Sequence, residues 1–322
     1  MPRPILLGIV GDSAAGKTTL TRGLVRILGE DQVTHVSADH YHRYDRLQRA
    51  AHGVTPLHPD CNHLEILAQH LGHLRAGDAI LKPVYRHQDG TFGAAEYVRP
   101  SRFTIVEGLL AFHTPAMRDR FDVRVFLAPP EEMRRKWKVL RDCSRRGYTT
   151  DQVLDELDRR EADAETYIRP QRHYSDMIIS FMPGDQGDAE HLDALVRMRS
   201  GLVHPELSQL VGDGAEGISL CTRGSEVSLW VPGTISPQQS ERIQESVWDR
   251  MHFASHLRTE RLGEFTVGTE LHRSEPLAIV QLLVLYQLAT ARAAIAIGAA
   301  GARTDGPLTV EDADAPSPAG LA

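Results

Sequence analysis

Gly11-Asp12-Ser13-Ala14-Ala15-Gly16-Lys17-Thr18 is the stretch on which the fold turns. It is a complete G-x-x-x-x-G-K-[ST] pattern, with the apolar run Ile5-Leu6-Leu7-Gly8-Ile9-Val10 before it and a helix-like segment, Thr19 to Leu28, after it. A buried strand delivers the chain into a turn whose glycines accept positive φ. The turn then opens onto a helix N-terminus whose backbone N–H groups point at an anion. Gly11, Asp12, Ser13, Ala14, Ala15, Gly16, Lys17, Thr18 and Thr19 are therefore the candidate cradle for a nucleotide triphosphate. Lys17 is expected to reach the β- and γ-phosphates, and the Thr18 hydroxyl to ligate Mg²⁺. A chance match in a chain this long has odds on the order of one in a hundred, and the strand-before, helix-after context lowers them.

The 322 residues allow one large α/β domain with an appendage, or two domains. Hydrophobic content of 41% and charged content of 25% are ordinary for a soluble enzyme. A net charge of −7 argues against a nucleic-acid or membrane-surface partner. Cys61, Cys143 and Cys221 are far apart and form no C-x-x-C pair, which fits a reducing cytoplasm rather than a disulfide framework. The first strand starts at about residue 5, so no targeting peptide is expected ahead of it. Pro276 to Ala300 is the most apolar stretch, but Gln281, Gln287 and Arg292 interrupt it. It reads as a buried or interface helix rather than a membrane span.

Strand-like runs at Ile5–Val10, Val33–Ser37, Phe103–Val106, Val123–Leu127 and Met177–Phe181 alternate with helical patterns at 18–28, 62–76, 130–146 and 150–166. That rhythm predicts an α/β fold, a mainly parallel sheet flanked by helices, with ligands at the C-terminal strand edge. Past residue 185 the character changes. A helix is expected over His191–Arg199, a hairpin from Gly217–Cys221 and Glu226–Val231, and helices over Pro237–Ser255 and Ser274–Ala300. The organisation expected is an α/β domain carrying the phosphate loop at 1–185, a smaller α+β region at 186–300 that could dimerise or regulate, and a disordered tail at 301–322.

Three clusters beyond the phosphate loop carry chemistry. The strand Phe103-Thr104-Ile105-Val106 ends in Glu107, where a carboxylate can hold Mg²⁺ beside the phosphates. The second strand ends in Ser37-Ala38-Asp39-His40-Tyr41-His42. Asp39 thus shares the sheet edge with the phosphate loop; it could accept a proton from an attacking hydroxyl, ligate Mg²⁺ or cap a helix. The run from Arg134 to Arg146 sets Lys138, Arg141 and Arg145 on one helix face, where they could neutralise charge spreading over a transferring phosphoryl group.

In order, the segments Gly-Asp-Ser-x-x-Gly-Lys-Thr, Asp39-x-Tyr41-His42-x-x-Asp45-Arg46, Gly53-x-Thr55-x-Leu57-x-Pro59, Lys82-Pro83-x-Tyr85-x-His87, Glu107-Gly108-Leu109, Arg141-Asp142 with Arg146-Gly147-Tyr148-Thr149, and Tyr167-Ile168-x-Pro170-Gln171-Arg172 resemble the phosphoribulokinases. That group lies within the P-loop kinases that also include uridine kinases. The resemblance spans about residues 5–183 and implies an ATP- and Mg²⁺-dependent kinase acting on a small-molecule sugar phosphate. D-ribulose 5-phosphate would become the 1,5-bisphosphate, and a homodimer is the family expectation. It further implies Asp39 as the general base, with Asp39 also a possible metal ligand beside Thr18 and Glu107. Lys17, Arg141 and Asp142 would take part in catalysis, and His42, Arg46, Tyr85, His87, Lys138 and Arg146 would bind substrate.

The chain departs from plant and cyanobacterial relatives, which usually carry one cysteine in the loop and another just before the aspartate. Ala15 and Ser37 stand there, so a disulfide switch at this pair is excluded by chemistry. His40 replaces the second of two aspartates usual in those relatives. The rival readings are a uridine/cytidine or other small-alcohol kinase and, from another class, a nucleotide-dependent switch. The latter lacks an Asn-Lys-x-Asp guanine-reading segment.

Overall fold

The computed structural model describes residues 3–184, 191–203, 205, 217–251 and 257–298. The side chain of Arg145 and the expected tail at 301–322 lie outside the described residues, as does part of the helix expected to reach Ser255. The chain divides into two compact units: Met1–Lys17 with Asp31–Arg172, and Thr18–Glu30 with His173–Ala322.

The first unit is built on strand β1 (Ile5–Gly11), whose seven residues are all buried. Helix α1 (Lys17–Leu28) starts at the end of the phosphate loop. Strand β2 (Val33–Ser37), helices α2 (Arg46–His52) and α3 (Leu64–Ala76), and the hairpin β3 (Ile80–Arg86) and β4 (Thr91–Val98) follow. Then come β5 (Phe103–Gly108), α4 (Pro115–Arg118), β6 (Val123–Leu127), α5 (Glu131–Arg146) and α6 (Thr150–Asp163). The strands β2-β5-β1-β6 lie side by side and all parallel, the arrangement that alternating β and α elements predict. Their register sets Ser37 beside Glu107, Val10 beside Gly108, and Gly11 beside Leu127. The C-terminal ends of all four strands therefore reach one sheet edge.

Two glycines make close approaches there that a side chain would forbid. A Cβ on Gly108 would sit 2.5 Å from the Ala38 Cβ, and one on Gly11 would sit 2.6 Å from the Leu127 carbonyl oxygen. The first brings the turn after β2, which carries Asp39, down onto β5. The second lets the phosphate loop leave β1 across the end of β6.

The second unit contains α1 beyond Lys17, then β7 (Met177–Pro183), β8 (Leu192–Arg199), β9 (Ser219–Arg223), β10 (Glu226–Val231), α7 (Pro237–Trp248), β11 (Glu264–Val267), β12 (Glu270–Arg273) and α8 (Glu275–Ala296). Strands β7-β8-β10-β9 pair antiparallel throughout. The helix expected at 191–199 is thus strand β8. Its Leu-Asp-Ala-Leu-Val-Arg-Met-Arg sequence is paired on both edges, and these ladders override a helical reading of the apolar spacing. The expected hairpin at 217–231 forms as β9 and β10.

Helix α8 buries 13 consecutive residues, Pro276 to Leu288, all round its circumference. Among the described residues it is the one helix long and apolar enough to cross a membrane, and its burial is that of a core helix. It meets α1 closely: a Cβ on Gly23 would stand 2.2 Å from Gln281 Nε2. Gln281 Oε1 accepts the Gly263 N–H at 2.7 Å.

Candidate active site

The phosphate loop has the backbone its sequence demands. Gly16 sits at φ +95°, and Ala14 is the described non-glycine residue with positive φ, at +68°. That left-handed alanine costs conformational energy, which the loop retains at a functional turn. Lys17 Nζ donates to the Gly11 and Asp12 carbonyls at 2.8 and 2.7 Å, folding its ammonium across the cradle it is expected to serve. Burial pushes its pKa down, against the opposing fields of Asp39, Glu107 and Asp12. Thr18 and Thr19 occupy the first turn of α1.

Asp39 lies in a short 3₁₀ turn, Ala38–Tyr41, capped by Ser37, whose Oγ accepts the Asp39 N–H at 3.3 Å. Ser37 is thus the cap of this turn. The charge of the Asp39 carboxylate reaches Lys17 as well as His40, His42 and His87. A small cavity opens beside it, lined by Ala38, Asp39, Pro56, Asn62, Leu64, Leu67, Leu109 and Leu110. Beneath, Leu57, Leu109, Leu110, Ala164 and Ile168 pack as one apolar cluster against Leu64 and Tyr167. Gln171, from the Tyr-Ile-x-Pro-Gln segment, holds this floor: its Nε2 donates to the Leu109 carbonyl at 2.7 Å and its Oε1 accepts the Phe112 N–H at 2.9 Å.

Glu107 is buried at the end of β5, with Oε1 3.1 Å from His35 Nε2. The remaining predicted residues gather on the hairpin and on α5. Tyr85 is buried, with its ring edge against His42 at 4.8 Å and His87 at 5.1 Å. Arg46 is exposed at the start of α2 and donates to the His87 carbonyl at 2.6 Å. Arg141 is half-buried and Arg146 exposed; both impose positive charge on His87, and Arg141 also on Lys17.

Lys138, expected to bind substrate, and Asp142, expected in catalysis, are paired with each other. Lys138 is 1% exposed, and its ammonium donates to Asp142 Oδ2 at 2.7 Å, with Glu156 at 3.6 Å. Burial raises the Asp142 pKa, but hydrogen bonds from Arg141 and Lys138 outweigh it and hold the carboxyl at about 2. Arg141 Nε donates to Asp142 Oδ1 at 2.8 Å, with Arg146 3.4 Å from the same oxygen. This buried pair fixes two guanidinium groups at the rim. Arg134 likewise binds the loop, donating to the Ser13 carbonyl at 3.0 Å.

Sequence reasoning passed over three contributors. Arg49 donates to the Tyr85 hydroxyl at 2.6 Å and lies over its ring at 5.1 Å. Asn62 binds His42. Arg169 faces Asp12 of the loop at 3.7 Å. Only Arg49 carried a signal, standing one helical turn after Arg46. His40, the departure from relatives, accepts the Tyr85 N–H on Nδ1 at 3.0 Å and so ties the hairpin to the Asp39 turn.

The donor set fits Mg²⁺ and a triphosphate: a hydroxyl at Thr18, carboxylates at strand ends, and a lysine already lodged among loop carbonyls.

A model of the "Phosphoribulokinase / Uridine kinase family" matches residues 6–186. A phosphoribulokinase of Synechocystis sp. is 31% identical over 300 residues, covering 86% of this chain and 89% of its own. A uridine kinase of Chloroflexus aggregans is 28% identical over 202 residues, covering 60% of this chain and 93% of its own. Among solved structures, a phosphoribulokinase from Rhodobacter spheroides shares the fold at a TM-score of 0.56 with 20% identity, covering 77% of this chain and 97% of that one.

Proposed function

The chain belongs to the phosphoribulokinase/uridine kinase family, kinases that transfer phosphate to an alcohol, and we propose that its acceptor is D-ribulose 5-phosphate, phosphorylated by ATP at the C1 hydroxyl. The observation that carries this reading is the position of Asp39. One carboxylate acts both on Lys17 of the phosphate loop and on His42 and His87, the latter also within the fields of Arg141 and Arg146. A base for the attacking hydroxyl belongs between the donor's phosphates and the acceptor, and a dianionic acceptor calls for the cations on its far side.

In this mechanism the loop N–H groups and Lys17 hold the triphosphate, Lys17 exchanging two carbonyl partners for phosphate oxygens. Thr18 and Glu107 would hold Mg²⁺, which when bound would neutralise charge on the phosphates. Asp39 takes the C1 hydroxyl proton as that oxygen attacks the γ-phosphorus, and general-base help of this kind is worth ~10²–10⁴-fold. Arg141, held by Asp142, meets the negative charge that spreads over the equatorial oxygens. Arg46 and Arg146 face the sugar phosphate. Coverage favours this acceptor over a nucleoside, because similarity to the phosphoribulokinase extends over 86% of the chain and similarity to the uridine kinase over 60%.

A panel of acceptors with coupled ADP detection tests the reading. Turnover with ribulose 5-phosphate and none with uridine is expected, and the reverse would overturn it. Arg46→Ala should raise KM for the sugar phosphate while leaving KM for ATP unchanged; equal effects on both would remove Arg46 from the acceptor side.

A further inference from the structure

Asn62 belongs to no motif that marks the family resemblance, yet it is buried and lines the cavity beside Asp39. Its amide orientation is dictated by its partners. Nδ2 donates to the Pro56 carbonyl at 3.1 Å and the His58 carbonyl at 2.9 Å, two groups that can only accept. Oδ1 must then face His42 Nδ1, 2.8 Å away, and because an amide oxygen only accepts, Nδ1 must carry the hydrogen. In a neutral imidazole this leaves Nε2 as a bare lone pair. Among the described residues no partner takes Nε2. The ring is braced on its other side by the Tyr85 edge at 4.8 Å, and His42 and Asn62 also form an isolated backbone bridge.

We propose that Asn62 is a positioning residue that locks His42 as the Nδ1–H tautomer, so that Nε2 accepts a hydrogen bond from a hydroxyl of the acceptor sugar rather than serving as a cation for its phosphate. The proposal rests on the acceptor being a hydroxylated sugar phosphate, and it divides the labour on that molecule: the guanidinium groups take the phosphate, the neutral imidazole a hydroxyl. The groups facing His42 are Asp39, Arg49, His87 and Tyr85. Burial leads in depressing the His42 pKa to about 4, with Arg49 and His87 adding to it and Asp39 and Asn62 opposing, which keeps the ring neutral where the enzyme works.

The decisive measurement is nitrogen-15 NMR of the histidine rings in the ligand-free wild-type protein, with His42 assigned by its absence in His42→Gln. The expected signal is the Nδ1–H tautomer; the Nε2–H tautomer, or an imidazolium at pH 7, overturns the proposal. Asn62→Asp supplies a kinetic arm. A carboxylate at that place favours the imidazolium, whose Nε2 donates instead of accepting. KM for the sugar phosphate should rise roughly fivefold to tenfold, the loss of about one neutral hydrogen bond. KM for ATP should stay constant, and the defect should fade as pH is raised past the new His42 pKa. An unchanged acceptor KM in a variant whose His42 signal has shifted also overturns it. Should Asn62→Asp not fold, the wild-type tautomer decides alone. A failed acceptor panel with Nδ1–H intact condemns the acceptor assignment, whereas Nε2–H condemns the amide lock.

Discussion

Both units bury apolar residues, but among the described residues the first buries more charged side chains than the second, where Asp176 and Asp193 are the buried carboxylates. In the first, charged and polar side chains go inside: Lys138 and Asp142, Arg134, Glu107, Lys82, and the His42–Asn62 pair are all buried. In the second, α8 buries thirteen residues in succession of which only Gln281 and Gln287 are amides, and none is charged. Burying charge is costly unless each group is paired, and pairing imposes geometry. The first unit gives up some stability for fixed positions of its many buried ionisable groups; α8 of the second is held by apolar area. Chemistry is expected where the positions are fixed.

The sharpest break of this contrast is Asp39→Asn. The side chain is half-buried and forms no ion pair among the described residues, so the variant should unfold at the same urea concentration as the wild type. Its kcat should fall by ~10²–10⁴-fold if Asp39 is the base. A kcat within threefold of wild type would end that role.

Asp142→Asn should act in the opposite currency. It strands the Lys138 ammonium, leaving Glu156 at 3.6 Å as partner, and should destabilise the first unit by about 3–5 kcal/mol. Replacing the pair together, Lys138→Met with Asp142→Leu, should recover most of that loss, because an apolar pair pays no desolvation. Equilibrium urea unfolding compares the two. A single variant as stable as wild type would mean the pair is not what holds α5 against α6.

Leu283→Ala probes the other unit. Leu283 is 2% exposed on α8, and removing three carbons should cost about 2–5 kcal/mol. Neither KM should move at temperatures where the variant stays folded. A change in acceptor KM would show that α8 feeds into the site.

Legibility followed the same division. The positions of Gly11–Thr18, Asp39 and Glu107 could be read because they lie at or just past strand ends, and strand ends are marked by apolar runs stopping at polar residues. The hairpin β3–β4 could not. Thr91–Val98 is exposed or half-exposed along its whole length, so it shows no apolar alternation, and it forms by pairing with Ile80–Arg86. The basic character of α5 was plain, but its sequence does not tell which cations turn inward. Glu156 on α6 meets the buried Lys138, whereas Arg141 stays half-buried and reaches Ser13 of the phosphate loop. Asn62 and Arg49 act through partners 20 and 36 residues away, a relation no local pattern contains.

Mild acid offers the smallest but most general test of the contrast between the units. His40, His42, His70, His87 and His113 all lie in the first unit, and burial is the leading cause of a lowered pKa in each. The sign follows from linkage. Each ring binds its proton more readily in the unfolded chain, at about 6.5, than in the folded one, so the stability it permits is complete above that pH and is lost as pH falls towards the folded value. For His42 the window runs from 6.5 down to about 4. The more exposed rings, screened by water, add less. Together the loss between pH 7 and 5 should be on the order of 2 kcal/mol. Trp137 on α5 reports the first unit and Trp230 on β10 the second, so variants retaining one or the other as sole tryptophan can be unfolded in urea at both pH values. The Trp137 midpoint should fall between pH 7 and 5 by more than the Trp230 midpoint. Equal shifts would mean that the units unfold as one body or that the buried histidines do not set the acid limit, and His42→Gln would separate those cases by flattening the Trp137 response only in the first.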